Sequence, residues 1–153
     1  MVPFLTAASI LTAAAAVQAP AASDCTGPPS ATRLLVRVEN VRSSQGLIAV
    51  TLYPDKSSRF LARRGSLYVG RVPARKGTTE ACIHVPKPGV YAVAVYHDAD
   101  ADRKFDRTGI GLPDEGFGFS GNPPTFLGMP SFARVRLSVP RSGVRTVIRL
   151  KYR

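Results

Sequence analysis

The residues best suited to chemistry lie together in one short run, His97-Asp98-Ala99-Asp100-Ala101-Asp102-Arg103-Lys104-Phe105-Asp106. Consecutive carboxylates cannot all turn toward one centre, whereas alternating ones can. A hard cation such as calcium takes roughly six to eight oxygen ligands in a flexible shell. In a twelve-residue calcium loop the ligands come from positions one, three, five, seven, nine and twelve. Counted from Asp98, carboxylates fall at Asp98, Asp100, Asp102 and Asp106, which are positions one, three, five and nine. Lys104 at position seven offers its backbone carbonyl.

Two positions depart from that pattern. Arg103 stands at position six, where glycine normally makes the sharp turn, and Gly109 stands at twelve, where a bidentate Glu is expected. Asp114 or Glu115, folding back, would complete the shell. The expected ligand set is therefore Asp98, Asp100, Asp102, Lys104, Asp106 and Glu115, with His97 and Asp114 beside it. Calcium is the expected ion. Magnesium and manganese share the preference for oxygen but not the flexible geometry. No helix pair flanks the loop, so it is not an EF-hand.

The charge distribution isolates this segment. Six of the ten acidic residues fall within positions 98–115, which contain three basic residues, so the segment carries −3 in a chain of net charge +11. Clustered carboxylates repel unless positive charge sits among them. A plain hydrated turn, with the Asp side chains capping their own backbone and pairing with Arg103, Lys104 and Arg107, is the competing account. A metal-dependent hydrolase centred on His97, Asp98 and Glu115 is a second. No His/Cys/Glu set with zinc-like spacing surrounds His97, and His84 reads as a structural strand residue. Ser120 lacks the strand-to-helix setting of a hydrolase nucleophile. Asp114 and Glu115 are adjacent and do not suit a glycosidic bond held between two carboxylates. The expectation is a non-enzymatic protein.

The elements that must position the loop read as short strands. Leu34, Val36 and Val38 alternate with Leu35, Arg37 and Glu39, the period of a half-buried strand. Leu47 to Tyr53, Leu67 to Val72 and Thr79 to Val85 follow, with one helical turn expected within Lys56 to Arg64. Val90 to Tyr96 is apolar on both faces, as a central strand would be, and it delivers His97 and Asp98 at its end. Gly109 to Pro130 reads as a long irregular segment anchored by Phe117, Phe119 and Phe126. Phe132 to Val139 and Val144 to Tyr152 alternate, and Arg141-Ser142-Gly143 between them signals a hairpin. About seven strands without a long helix predict an all-β antiparallel sandwich, immunoglobulin-like or prealbumin-like.

The chain has 153 residues, one domain by length. Met1 to Ala22 carries no charged side chain, and Ala19-Pro20-Ala21 offers small residues at a signal-peptidase spacing. Residues 1–22 are expected to be a signal peptide and 23–153 a single domain, exported to the periplasm or beyond. The apolar run is short for a membrane span, and Asp24 before Cys25 argues against lipidation. Two cysteines, Cys25 and Cys82, are expected to form one disulfide contributing roughly 2–4 kcal/mol. Arginine supplies 16 of the 21 basic residues. These are spread along the chain, and export excludes nucleic acid as a partner. Acidic envelope glycans or lipid headgroups remain as partners for a basic surface carrying Tyr96, Phe117 and Phe119.

The strand Tyr91-Ala92-Val93-Ala94-Val95-Tyr96, the run His97-Asp98-x-Asp100-x-Asp102-x-x-Phe105-Asp106, and Gly109-Ile110-Gly111-Leu112-Pro113-x-Glu115-Gly116-Phe117-Gly118-Phe119-Ser120 together resemble a known family. It is an uncharacterised family of exported bacterial proteins, domain of unknown function 2141. Gly46-x-Ile48-x-Val50-x-Leu52-Tyr53 and Pro130-Ser131-Phe132 fit it as well. The resemblance runs from about Leu34 to Leu150. In that family a glycine commonly stands where this chain has Arg103. The resemblance implies a compact exported β-sandwich and carries no established activity.

Overall fold

A computed structural model describes residues 25–110, 114–125 and 129–152. The expected signal peptide and the expected anchor Phe126 lie outside the described residues. Within them the chain is nearly all strand: β1 (Thr32–Val41), β2 (Leu47–Pro54), β3 (Tyr68–Pro73), β4 (Gly77–Val85), β5 (Gly89–Asp98), β6 (Phe117–Phe119), β7 (Arg136–Val139) and β8 (Val144–Arg149). A 3-10 turn at Ser57–Arg59 and one helical turn, α1 (Phe132–Val135), complete it. No described helix is long and apolar enough to cross a membrane.

The strands form two packed sheets. One has the order β4-β1-β8, the other β3-β2-β5-β6, with β7 also paired to β5. The two-residue period places Leu34, Val36 and Val38 of β1 inward, where all three are fully buried. They meet Ile48, Val50 and Leu52 of β2 and Val93 and Val95 of β5 in the core between the sheets. Each such side chain contributes about 1.5–3 kcal/mol by leaving water. As its two apolar faces predict, β5 is central. It pairs with β2 along one side, and on the other with β7 through Gly89–Ala92 and β6 through Ala94–Tyr96.

The outer face of the five-stranded sheet is also covered. Tyr53, Ala92, Phe119 and Val135 form a second cluster there, with Phe60 and Phe132 packed against it. That explains why β2 is buried on both faces although its sequence marks only Ile48, Val50 and Leu52 as inward. Ser120 at the end of β6 is buried, and its hydroxyl is taken up by backbone: it donates to the Val135 carbonyl and accepts from the Val93 amide at 3.0 Å.

Three sequence expectations are corrected. Arg141-Ser142-Gly143 is not a hairpin turn, because β7 lies in one sheet and β8 in the other, where β8 runs parallel to β1. Gly143, at φ 79°, sits so close to Arg33 that a Cβ would stand 2.5 Å from the Arg33 carbonyl oxygen, so the turn hands the chain across to β1. Alternation shows that a segment is a strand, not which strand it joins. Phe132–Val135 is helical, because Phe132 packs against Phe60 rather than continuing the β7 ladder. The segment expected to be irregular contains β6.

The open edge of β8 is closed by a side chain. Asn122 donates from Nδ2 to the Val147 carbonyl and accepts at Oδ1 from the Arg149 amide, both at 2.8 Å, as a neighbouring strand would.

Cys25 and Cys82 are disulfide-bonded, with Cα atoms 4.4 Å apart and a sequence separation of 57. The Thr26 amide donates to the Cys82 carbonyl and the His84 amide to the Thr26 carbonyl, each at 2.9 Å, so the start of the domain is laid along β4. His84 stays structural, its Nδ1 lying 3.1–3.3 Å from the backbone of Ser30. Closing a loop of this length is worth about 4 kcal/mol in the chain-entropy account. Cys25→Ser with Cys82→Ser is expected to lower the unfolding free energy by roughly that amount, read from urea denaturation with circular dichroism.

Candidate metal centre

The acidic loop is fixed at both ends before any of its carboxylates is considered. β5 ends on His97 and Asp98, paired with Ile48 and Leu47 of β2. The His97 amide donates to the Gly116 carbonyl at 2.8 Å, so the chain leaves at 98 and returns beside itself at 116. Glycines make both approaches possible. A Cβ on Gly46 would stand 2.0 Å from the Asp98 carbonyl oxygen, and one on Gly116 would stand 2.2 Å from the Tyr152 ring.

His97 is buried, and both ring nitrogens are engaged. Nε2 lies 2.8 Å from the Gln45 carbonyl, which can only accept, so Nε2 carries the proton. Nδ1 then accepts from the Tyr152 hydroxyl at 2.9 Å, and that hydroxyl accepts from the Arg42 amide at 3.0 Å. The imidazole is spent on holding the loop base and faces no carboxylate of the cluster through a hydrogen bond.

Inside the loop, Ala101 and Arg103 take φ of 60° and 67°. Arg103 therefore accepts the left-handed turn that a glycine would make freely, at a cost of about 1–2 kcal/mol. In that turn its amide donates to Asp98 Oδ2 at 3.0 Å. The Asp102 amide donates to Asp100 Oδ1 at 3.2 Å and the Lys104 amide to Asp102 Oδ1 at 2.7 Å. Glu115 folds back: its Oε2 accepts from the Asp106 amide at 3.1 Å, and the Asp114 amide donates to the Asp106 carbonyl at the same distance.

These turns bring together two carboxylate triads. Asp98, Asp100 and Asp102 each offer an oxygen within 4.8 Å of the others, and so do Asp100, Asp106 and Glu115. Asp100 belongs to both. Five of the six expected ligand residues thus converge. The sixth, Lys104, is exposed, and its ammonium pairs with Asp102 Oδ2 at 3.4 Å. The Asp114 carboxylate belongs to neither triad but borders the same open cleft of about 450 Å³, together with Asp100, Asp106, Glu115 and Tyr152. Gln45, Gly46, Gly116 and Tyr152 carry no sequence signal linking them to the loop. Only the fold makes them its base.

The electrostatics reflect the crowding. Asp98 is fully buried, and its Oδ1 has no hydrogen-bond partner among the described residues. Burial first, and then the carboxylates of Asp98 and Asp106, push Glu115 up to about 7, against the hydrogen bonds that its carboxylate accepts from the backbone. Asp106 is also raised, by burial and then by Asp102 and Asp100.

The fold and this site define a class: a two-sheet β-sandwich with a carboxylate-lined loop at the end of its central strand. Within that class, the chain belongs to the family described as an uncharacterized protein conserved in bacteria, DUF2141, which it matches over residues 36–147. That span runs from inside β1 to inside β8 and contains the whole loop. No curated protein and no solved structure matches the chain.

A carboxyl whose folded pKa lies above its unfolded value favours the protonated, folded state. Glu115 goes from 4.5 to about 7, so its ionisation penalises the fold fully above pH 7, and the penalty fades as pH falls toward 4.5. The melting temperature of metal-free protein in EDTA is expected to rise as pH is lowered from 7.5 to 5.5. Glu115→Gln should raise the midpoint at pH 7.5 and flatten that rise.

Proposed function

We propose that this chain is an exported, non-enzymatic β-sandwich protein whose Asp98–Glu115 loop holds a structural calcium ion. The observation that carries the reading is Asp98 Oδ1, a fully buried carboxylate oxygen with no hydrogen-bond partner among the described residues, in a residue grouped with Asp100 and Asp102. An ionised carboxylate is costly to bury unpaired, and a cation between the triads offsets that cost. The remaining shell would come from Asp100, Asp102, Asp106 and Glu115, with the Lys104 carbonyl as the backbone ligand. So many oxygens on a flexible loop suit calcium better than magnesium, which demands near-octahedral geometry and keeps its waters. The disulfide supports export, since such bonds persist in oxidising compartments. The engagement of both His97 nitrogens argues against the hydrolase reading.

Calcium binding to the folded state alone stabilises it by about 2.7 kcal/mol at a hundred times the dissociation constant. For a domain of this size that is a rise in melting temperature on the order of 10 °C. Millimolar calcium should produce such a rise, and magnesium a smaller one. Asp98→Asn with Asp100→Asn should abolish it. A wild-type melt indifferent to every divalent ion would refute the reading.

A further inference from the structure

The two outer faces of the sandwich differ in chemistry. On the five-stranded sheet an aromatic ladder climbs from the acidic loop: Phe105 stands edge-to-face on Tyr96 and Phe117, Phe117 on Phe119, and Phe119 on Phe60. The outer face of the three-stranded sheet is rich in arginine. With Leu34, Val36 and Val38 turned inward, the outward positions of β1 are Arg33, Leu35, Arg37 and Glu39, and those of β8 include Arg145 and Arg149. Together β1, β4 and β8 carry four arginines and two glutamates. Glu39 takes Arg37 and Arg149, at 3.3 and 3.1 Å. Glu80 takes Arg37 at 3.1 Å and reaches Arg145 only at 3.9 Å. Arg33 has no acidic partner among the described residues. The surplus of positive charge therefore falls on Arg33 and Arg145. Both stand near the starts of their strands, at the end of the sandwich away from the acidic loop.

An open groove of about 350 Å³ lies there, lined by Arg33, Leu35, Ser142, Gly143, Val144 and Arg145. Register builds it. Arg145 is the cross-strand partner of Leu35, and Arg33 points to the same side two residues earlier, so the two arginines flank the half-buried Leu35. The Gly143 amide donates to the Pro140 carbonyl at 2.9 Å, and this turn lies against the Arg33 backbone because Gly143 has no Cβ. The turn brings in Ser142, whose hydroxyl has no hydrogen-bond partner among the described residues.

We infer that this groove binds a phosphate monoester carried on a sugar-sized group. Three observations select that chemistry. The two surplus arginines match an ester phosphate, which carries about −1.5 to −2 at neutral pH, whereas a carboxylate or a sulfate ester brings a single charge. Each guanidinium forks onto two acceptors, and a phosphate presents three terminal oxygens where a carboxylate presents two. The volume falls within the roughly 300–1,000 Å³ of small-ligand sites, so the phosphate and one ring fit together, with Leu35 against the ring's apolar face. The site is remote from the carboxylate loop and does not rest on the calcium reading. Soluble sugar phosphates and the phosphorylated headgroups of envelope lipids share this chemistry.

The test titrates the protein calorimetrically in EDTA with glucose 6-phosphate, glucose 6-sulfate and glucuronate. Glucose 6-phosphate should bind about tenfold tighter than the other two, and its affinity should fall below pH 6, where the phosphate loses its second charge. Arg33→Gln and Arg145→Gln, both exposed changes, should each weaken it about tenfold, the loss expected for a hydrogen bond to a charged group. Arg149→Gln removes the same charge from the same face, but from a residue committed to Glu39, and should leave binding unchanged. Sedimentation with phosphatidylcholine vesicles, with and without phosphatidic acid, separates the sources. Capture by phosphatidic acid that requires Arg33 points to a lipid headgroup, and binding of the soluble ester alone points to a free sugar phosphate. Equal binding of the three soluble probes, or an Arg149→Gln loss as large as that of Arg33→Gln, would mean diffuse charge attraction and overturn the inference. So would a protein that binds neither phosphate probe, including one that instead self-associates in EDTA through Arg33 and the acidic loop of a second copy.

Discussion

The loop depends on one buried imidazole. His97 joins three parts of the chain that are far apart in sequence: the turn between β1 and β2 at Gln45, the end of the domain at Tyr152, and, through its own amide, the return of the loop at Gly116. The ring itself is buried, so each of these bonds supplies a partner that water does not readily replace. Because both nitrogens are used, the ring has one orientation and one tautomer. Asp98, the next residue, is thereby aimed from a fixed point, and Glu115, just before Gly116, is brought back to it. A five-carboxylate cluster needs this anchoring. Left to a free loop, like charges would spread apart.

The cluster also shapes how charge is distributed over the molecule. The three-stranded sheet carries its arginines in mixed company: Arg37 and Arg149 pair with Glu39, and Arg37 also with Glu80, all on the solvent side. Such exposed pairs are screened by solvent and mainly balance the surface. In the acidic loop the exposed Lys104 ammonium pairs with Asp102. The asymmetry apparent in the sequence therefore persists in the fold as a basic body with one negative end.

Much of this could be read before the fold was known, and the reasons differ by element. β1 announces itself because its two faces meet water and core, and β5 because neither face meets water. The carboxylate spacing is local, so Asp98, Asp100, Asp102 and Asp106 are visible as a set, and Glu115 follows from the gap at Gly109. The role of His97 was hidden, because it is defined by Gln45 and Tyr152, each more than fifty residues away. The parallel placement of β8 on β1 was hidden for the same reason. So was the aromatic ladder: Phe105, Phe117 and Phe60 share no periodicity, and only the register of β5 and β6 brings them onto one face.

Asn122 raises a question of chemical ageing. One side-chain amide stands in for a whole strand along β8, offering a donor to Val147 and an acceptor to Arg149. Hydrolysis of that amide to a carboxylate would replace the donor with a negative oxygen facing a carbonyl and reopen the edge to pairing with another copy. The usual route to such damage is attack by the following backbone nitrogen on the side-chain carbonyl. Here the following residue is Pro123, which has no N–H to supply. The residue that guards the edge is thus placed where the usual cyclisation lacks its backbone nucleophile, which slows the loss of the cap.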